Sequence, residues 1–234
     1  MPMSNMVLLV VCFLAGMLLR RTGRFPETTP AALNGFIIHV SLPALALLHI
    51  HRITVQPSLL LTAGMAWCLF GLGLLFFRSA GRLLRFENRT VGALILVGGL
   101  GNTSFVGLPM IEAYYGREWL GVGLVADLLG SFLVLSTLGI LAATVYSTGE
   151  VSARQVLRKV LLFPPLQAVI LALLLRPLPF PEMAETVLQR LGDTLTPLAL
   201  VSVGFQLRLS HLRGNASTLG LGLFYKLVLG PALI

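Results

Sequence analysis

The chain is poor in charge and has almost no cysteine. Its 234 residues include nine acidic ones, charged side chains make up 11% of the total, and the two cysteines, Cys12 and Cys68, sit singly inside apolar runs. Two isolated thiols offer neither a disulfide framework nor zinc-ligand spacing. Soluble folds are usually about a quarter charged, so this chain cannot cover a water-soluble enzyme. Its apolar content, 56%, equally excludes a disordered chain. Walker-type loops, a nucleophile elbow and a His-Glu-x-x-His pair are all missing, which leaves ATP-driven transport and intramembrane hydrolysis without support. The net charge of +8 falls in short clusters between apolar runs rather than along a groove interleaved with aromatics, so no nucleic acid partner is expected. No enzyme activity, metal or cofactor is expected either.

What is abundant is apolar sequence, with a mean hydropathy of +0.89. Apolar runs lie near 6–19, 33–50, 59–77, 91–115, 119–146, 156–175, 186–207 and 216–234, most of them close to the ~20 residues that a bilayer crossing requires. The fold class expected is therefore an all-α polytopic membrane protein with about eight helices. The first run is no signal peptide, because nothing basic precedes it and Arg20, Arg21 and Arg24 follow. Thirteen Pro and 24 Gly suit membrane helices whose breaks are covered by neighbours. Basic residues alternate between the two sides. Arg20, Arg21, Arg24, Arg78, Arg82, Arg85, Arg89, Arg154, Arg158, Lys159, Arg208 and Arg213 follow the odd-numbered runs, against Arg52, Arg117, Arg176 and Arg190 on the other side. Retention of Lys and Arg in the cytoplasm then places the N-terminus outside.

A weak internal repeat accompanies these runs. Pro43 in Ser41-Leu42-Pro43-Ala44-Leu45 matches Pro197 in Leu195-Thr196-Pro197-Leu198-Ala199, 154 residues later. Each proline sits in the second helix of a block, which predicts a first five-helix repeat over 1–150 and an incomplete second repeat, helices 6 to 8, over 151–234. An odd number of helices per block inverts the second copy in the membrane. The same offset puts the counterpart of Asn102 near position 256, so the expected full chain carries two further helices over roughly 308 residues.

The most informative stretch is Gly98-Gly99-Leu100-Gly101-Asn102-Thr103-Ser104-Phe105-Val106-Gly107-Leu108-Pro109. Four glycines, a proline and three consecutive polar side chains in mid-span predict a broken helix around a cavity, since backbone groups released toward lipid find no water. Pro109 fits the first turn of a second half-helix, whose positive end would attract an anion. The plainer alternative is a Gly-rich packing face with Asn102 as interhelical glue. At ~1.5 Å per residue, Asn102, Asp127 and Lys226 lie ~16, ~12 and ~15 Å into their helices, a shared level near the bilayer midplane. Asp127 and Lys226, each charged within an apolar run, are candidates for proton coupling, for a mutual ion pair or for a substrate carboxylate. His39 is a candidate relay or gate residue, weighed against a hydrogen bond to a neighbouring helix. His49 and His51 are too isolated for a metal site, and Glu112, Tyr114 and Tyr115 read as interface anchors.

Leu33-Asn34 leading into Ser41-Leu42-Pro43, the Gly101–Pro109 stretch, Thr196-Pro197-Leu198-Ala199-Leu200 with Gly204 and Leu207, and Lys226 followed by Pro231 together resemble the auxin efflux carrier family, which includes bacterial malate and malonate permeases. The likeness runs along nearly all of the chain and is most specific in the second and fourth helices. It implies ten helices in two inverted five-helix repeats, with broken helices 4 and 9 crossing at the substrate site; this sequence departs by lacking helices 9 and 10. On that resemblance Asn102 and Pro109 mark the helix 4 crossover, and Pro43 and Pro197 lie on adjacent scaffold or gate helices; from the residues of the break themselves, Gly101, Thr103 and Ser104 join Asn102 and Pro109 as candidates for holding the substrate. The function expected is secondary transport of small organic anions such as carboxylates by alternating access, with proton coupling, in a membrane of the bacterial inner type. Expected partners are the anion, the bilayer, a coupling proton and a second copy of the chain. A sodium-coupled carrier resembling the bile acid symporters and a non-transporting membrane sensor remain the alternatives.

Overall fold

The computed structural model describes residues 2–54, 56–147, 152–208 and 216–233, so Arg213 lies outside the described residues. Among them no strand occurs, and all eight predicted runs are helical. They are α1 (Pro2–Arg21), α2 (Thr29–Arg52), α3 (Pro57–Leu83), α4 (Asn88–Tyr114), α5 (Arg117–Val145), α6 (Ala153–Leu161 and Pro164–Leu174), α7 (Glu182–Gly192 and Leu195–Gln206) and α8 (Ala216–Leu233). Five of these, α2, α3, α4, α5 and α8, are long and apolar enough to cross a membrane, and α6 makes a sixth if its bent halves count as one span. The first half of α7 carries Glu182, Glu185 and Arg190, so length alone does not make it an apolar span.

The chain divides into two compact units. Residues 1–55, 102–124 and 162–207 form unit 1, and 56–101, 125–161 and 208–234 form unit 2. In unit 1, α1 packs along the second half of α7 because both helices present glycine at the contact. A Cβ at Gly16 would run into the Val201 carbonyl oxygen, and one at Gly204 into that of Phe13. Small residues of this kind let membrane helices approach backbone to backbone, where dispersion rather than hydrophobicity holds them. Polar pairs fix the register of α2 against α7: the Ser202 hydroxyl donates to Asn34 Oδ1 at 2.6 Å, and the Ser41 and Thr194 hydroxyls meet at 2.7 Å. Arg176 donates to the Ile53 carbonyl at 2.7 Å, satisfying a backbone acceptor at the end of α2.

Unit 2 is built around Phe70, Phe77, Ile95, Val134 and Tyr225, all buried. Gly98 leaves room for the Phe77 ring, and the Tyr225 hydroxyl donates to the Leu69 carbonyl at 2.5 Å. The middle of α5, Ala126–Phe132, widens into a π turn, whose looser ladder exposes carbonyls that must find other donors. The Trp67 indole of α3 meets one of them, donating to Leu129 at 3.1 Å.

Proline explains a recurring local pattern. Three π turns, Ile37–Ser41, Thr103–Gly107 and Tyr225–Leu229, each end two residues before a proline: Pro43, Pro109 and Pro231. In each, the residue before the proline donates its N–H five residues back, as Leu42 does to the Ile37 carbonyl. A proline inside a helix removes one donor and its ring crowds the preceding turn, and widening that turn relieves both. Pro197 needs no such adjustment, because Leu195 starts the second half of α7 and first-turn amides have no helical acceptor.

Replacing Gly16 or Gly204 by Ala is expected to destabilise the protein by about 1–3 kcal/mol, the usual cost of overpacking. Gly35 and Gly64, where an added Cβ meets nothing within 4 Å, serve as controls that change little. Thermal unfolding in detergent micelles reads the difference.

Candidate functional site

The predicted rupture in α4 is present. Asn88–Gly99 ends in Leu100, whose backbone is extended at φ −116°, ψ 139°, and Asn102 turns the chain at φ −88°, ψ 76°. A second half-helix then starts as the π turn Thr103–Gly107 and continues as Leu108–Tyr114. Asn102 caps it. Its Oδ1 accepts from the Phe105 N–H at 3.1 Å, and its own carbonyl accepts from Val106 at 3.3 Å and from Gly107 at 3.0 Å. Asparagine suits the position because a short side-chain acceptor replaces the helical carbonyl missing at an N-terminus. Thr103 and Ser104 follow in the first turn, half-buried, and each takes part in an interaction of its own. Pro109 is buried, within the first turn of the α-helical portion, where its missing N–H is bridged by the π turn.

The other predicted residues are distributed between the units. Asp127 is 2% exposed, lies in the π turn of α5 within unit 2, and is partnered. Lys226, in the same unit, reaches no carboxylate within ion-pair distance among the described residues. It lines an apolar cavity of about 430 Å³ with Thr90, Leu94, Val97, Thr218 and Leu219. His39 is exposed, and its Nδ1 lies 2.9 Å from the Gly35 carbonyl, so its bond is within its own helix rather than to a neighbour. Pro43 and Pro197 are half-buried on α2 and α7, a turn or less from the Ser41–Thr194 contact. Among the described residues no group of three His, Cys, Asp or Glu side chains could hold a metal ion. His51 stacks on Phe180 at 4.1 Å between ring centroids.

Glu112 is more than an interface anchor. It sits in the last turn of α4, its side chain 17% exposed, accepting from the Thr196 hydroxyl at 2.7 Å and pairing with Arg117 Nε at 3.1 Å. Arg117 also reaches Asp193 at 3.0 Å, and Gln189 donates to the same carboxylate at 2.7 Å. One network therefore ties the end of the broken helix to the interruption in α7 at Asp193 and Thr194, all within unit 1. Sequence spacing could not reveal it, since Glu112 and Thr196 are 84 residues apart. The half-exposed Arg117 pairs contribute at most about 1 kcal/mol each, whereas the buried Thr196 hydroxyl depends on Glu112 for its acceptor.

The family model described as "membrane transport protein" matches residues 2–234. An uncharacterized transporter of Methanocaldococcus jannaschii is 25% identical over 240 residues, covering 99% of this chain and 77% of that protein.

Glu112→Ala is expected to cost about 1–2 kcal/mol of stability, because it orphans a buried hydroxyl. Arg117→Ala should cost under about 1 kcal/mol. Thermal unfolding of the two variants in detergent checks the order, and the reverse order would assign the network's strength to its ion pairs.

Proposed function

Starting from the fact that this chain belongs to the membrane transport protein family, whose auxin efflux carriers its sequence resembles, and is an integral membrane protein with long apolar helices, we propose that it is a secondary carrier for small organic anions. Carboxylates are the class that fits best. The observation that carries this reading is the interruption of α4 at Leu100–Asn102, followed by a capped half-helix. The start of such a helix holds the positive end of its dipole, and here it is flanked by Gly101, Asn102, Thr103 and Ser104. A carboxylate bound there would meet a polar side chain and backbone dipoles in a low-dielectric layer, where charge-assisted hydrogen bonds are strongest. Alternating access would follow from a shift of helices between two arrangements around the bound anion.

Two observations favour the inverted-repeat reading. Offset by 154 residues, α2 corresponds to α7 and α3 to α8, and each of these pairs falls within one unit. Ser41 and Thr194, beside the two matching prolines, touch each other. Asp127, buried in a widened turn, is the candidate carrier of a coupling proton, and Lys226, beside an apolar cavity, a candidate counter-charge. The charge pattern favours an N-terminus outside, and the reading adopts a membrane of the bacterial inner type.

Uptake of a labelled dicarboxylate into proteoliposomes tests the reading. Saturable uptake is expected, with kcat/KM lowered about tenfold or more in Asn102→Ala. Asp127→Asn is expected to abolish accumulation driven by a pH gradient while leaving counterflow exchange. No saturable anion uptake would overturn the carrier assignment, and an undiminished pH-driven rate in Asp127→Asn would remove the proton role.

A further inference from the structure

The end of α3 and the start of α4 enclose a feature that anion transport leaves unused. A cavity of about 290 Å³ opens between Arg78, Gly81 and Arg82 of α3, Phe86 of the connecting turn, Asn88 and Val91 of α4, and Val145 and Tyr146 at the end of α5. All of these residues belong to unit 2. Two glycines bring the walls together. A Cβ on Gly81 would strike the Val91 side chain, and one on Gly92 would strike Tyr146, so α3, α4 and the end of α5 approach one another around the cavity rather than filling it. The turn is fixed as well. The Leu84 N–H donates to the Ala80 carbonyl at 2.8 Å and the Phe86 N–H to Gly81 at 2.9 Å, with Arg85 in the left-handed conformation at φ 55°. That is the Schellman arrangement of a helix end, here bent through a residue other than glycine.

The charge in this corner is one-sided. Over residues 78–89 the chain carries Arg78, Arg82, Arg85 and Arg89 against a single acid, Glu87. Arg78 and Arg82 stand one helical turn apart on the same face of α3, and neither has an ion-pair or hydrogen-bond partner among the described residues. Guanidinium groups in that arrangement suit an oxyanion with two acceptor oxygens, and a phosphate diester is the membrane component that supplies one. Val145, 75% exposed, forms one wall, and Leu141, 54% exposed, lies one turn earlier on α5. Their apolar surface leads away from the arginines along a membrane-spanning helix, which benefits a ligand with acyl chains and does nothing for a soluble ion.

We propose that this cavity binds the phosphodiester headgroup of an anionic phospholipid, with Arg78 and Arg82 on the phosphate and the acyl chains along Leu141 and Val145. The lipid is a resident of the fold rather than a substrate, so the site stands whatever anion the carrier moves.

Native mass spectrometry of the whole, delipidated protein tests this with phosphatidylglycerol as the probe, phosphatidylcholine as the zwitterionic comparison and inorganic phosphate as the competitor. One phosphatidylglycerol is expected to bind, with affinity lowered about thirtyfold in Arg78→Gln/Arg82→Gln, the usual contribution of two cations at a lipid surface. The matched pair Arg154→Gln/Arg158→Gln, equally spaced on α6 and outside the lining of this cavity, should change it less than about threefold. Equal losses in the two pairs would reduce the effect to diffuse charge and overturn the site. So would phosphatidylcholine binding as tightly. Displacement by millimolar inorganic phosphate would overturn the lipid assignment in favour of a soluble anion. Should the glutamine pair fail to insert, Arg78→Lys/Arg82→Lys keeps the charge and loses the forked donors; severalfold weaker binding is then expected, and unchanged affinity overturns the proposal.

Discussion

Hydrocarbon offers no hydrogen-bond partner, so every amide or carbonyl released inside a membrane helix must be met by protein. This constraint organises the whole chain. Where α4 breaks, Asn102 supplies the acceptor that the helix lacks. Where α5 widens, the Trp67 indole reaches a displaced carbonyl, and where α2 ends, Arg176 does the same. These three irregularities are each tied to a side chain on another element or just before the helix, which makes them fixed features rather than frayed ends.

Glycine and proline divide the labour of this architecture. Glycines at Gly16, Gly81, Gly92 and Gly204 remove side chains where helices approach closely, and so determine which helices touch. Prolines at 43, 109 and 231 act along the helix, forcing the turn before them to widen. A widened turn can shift its hydrogen bonds by one residue at modest cost, so three of the helices have built-in places to bend. In the carrier reading such places serve as hinges when helices shift between two arrangements.

Much of this was legible from residue order alone. The apolar runs located the helices because bilayer thickness dictates their length, and the glycine, asparagine and proline between 98 and 109 located the rupture because no lipid-facing helix tolerates that combination. Other features were hidden. The Glu112 network joins residues remote in sequence, so no local pattern announced it. Ser202 and Asn34 are individually ordinary, and their pairing exists only once α2 and α7 are side by side. Arg78 and Arg82 counted toward orientation, yet the cavity beside them depends on two glycine contacts that hydropathy does not encode.

The central claim is that the interruption in α4 is an anion-receptive end and not a packing defect. Solid-state NMR of the protein in bilayers, with Gly98–Leu108 labelled and a dicarboxylate titrated in, tests it most directly. The account predicts a non-helical 13Cα shift at Leu100, helical shifts from Thr103 onward, and saturable 15N changes at Asn102, Thr103 and Ser104 that the uncharged diester does not cause. Helical shifts running unbroken through Leu100, or amides unmoved by the dicarboxylate, would contradict it.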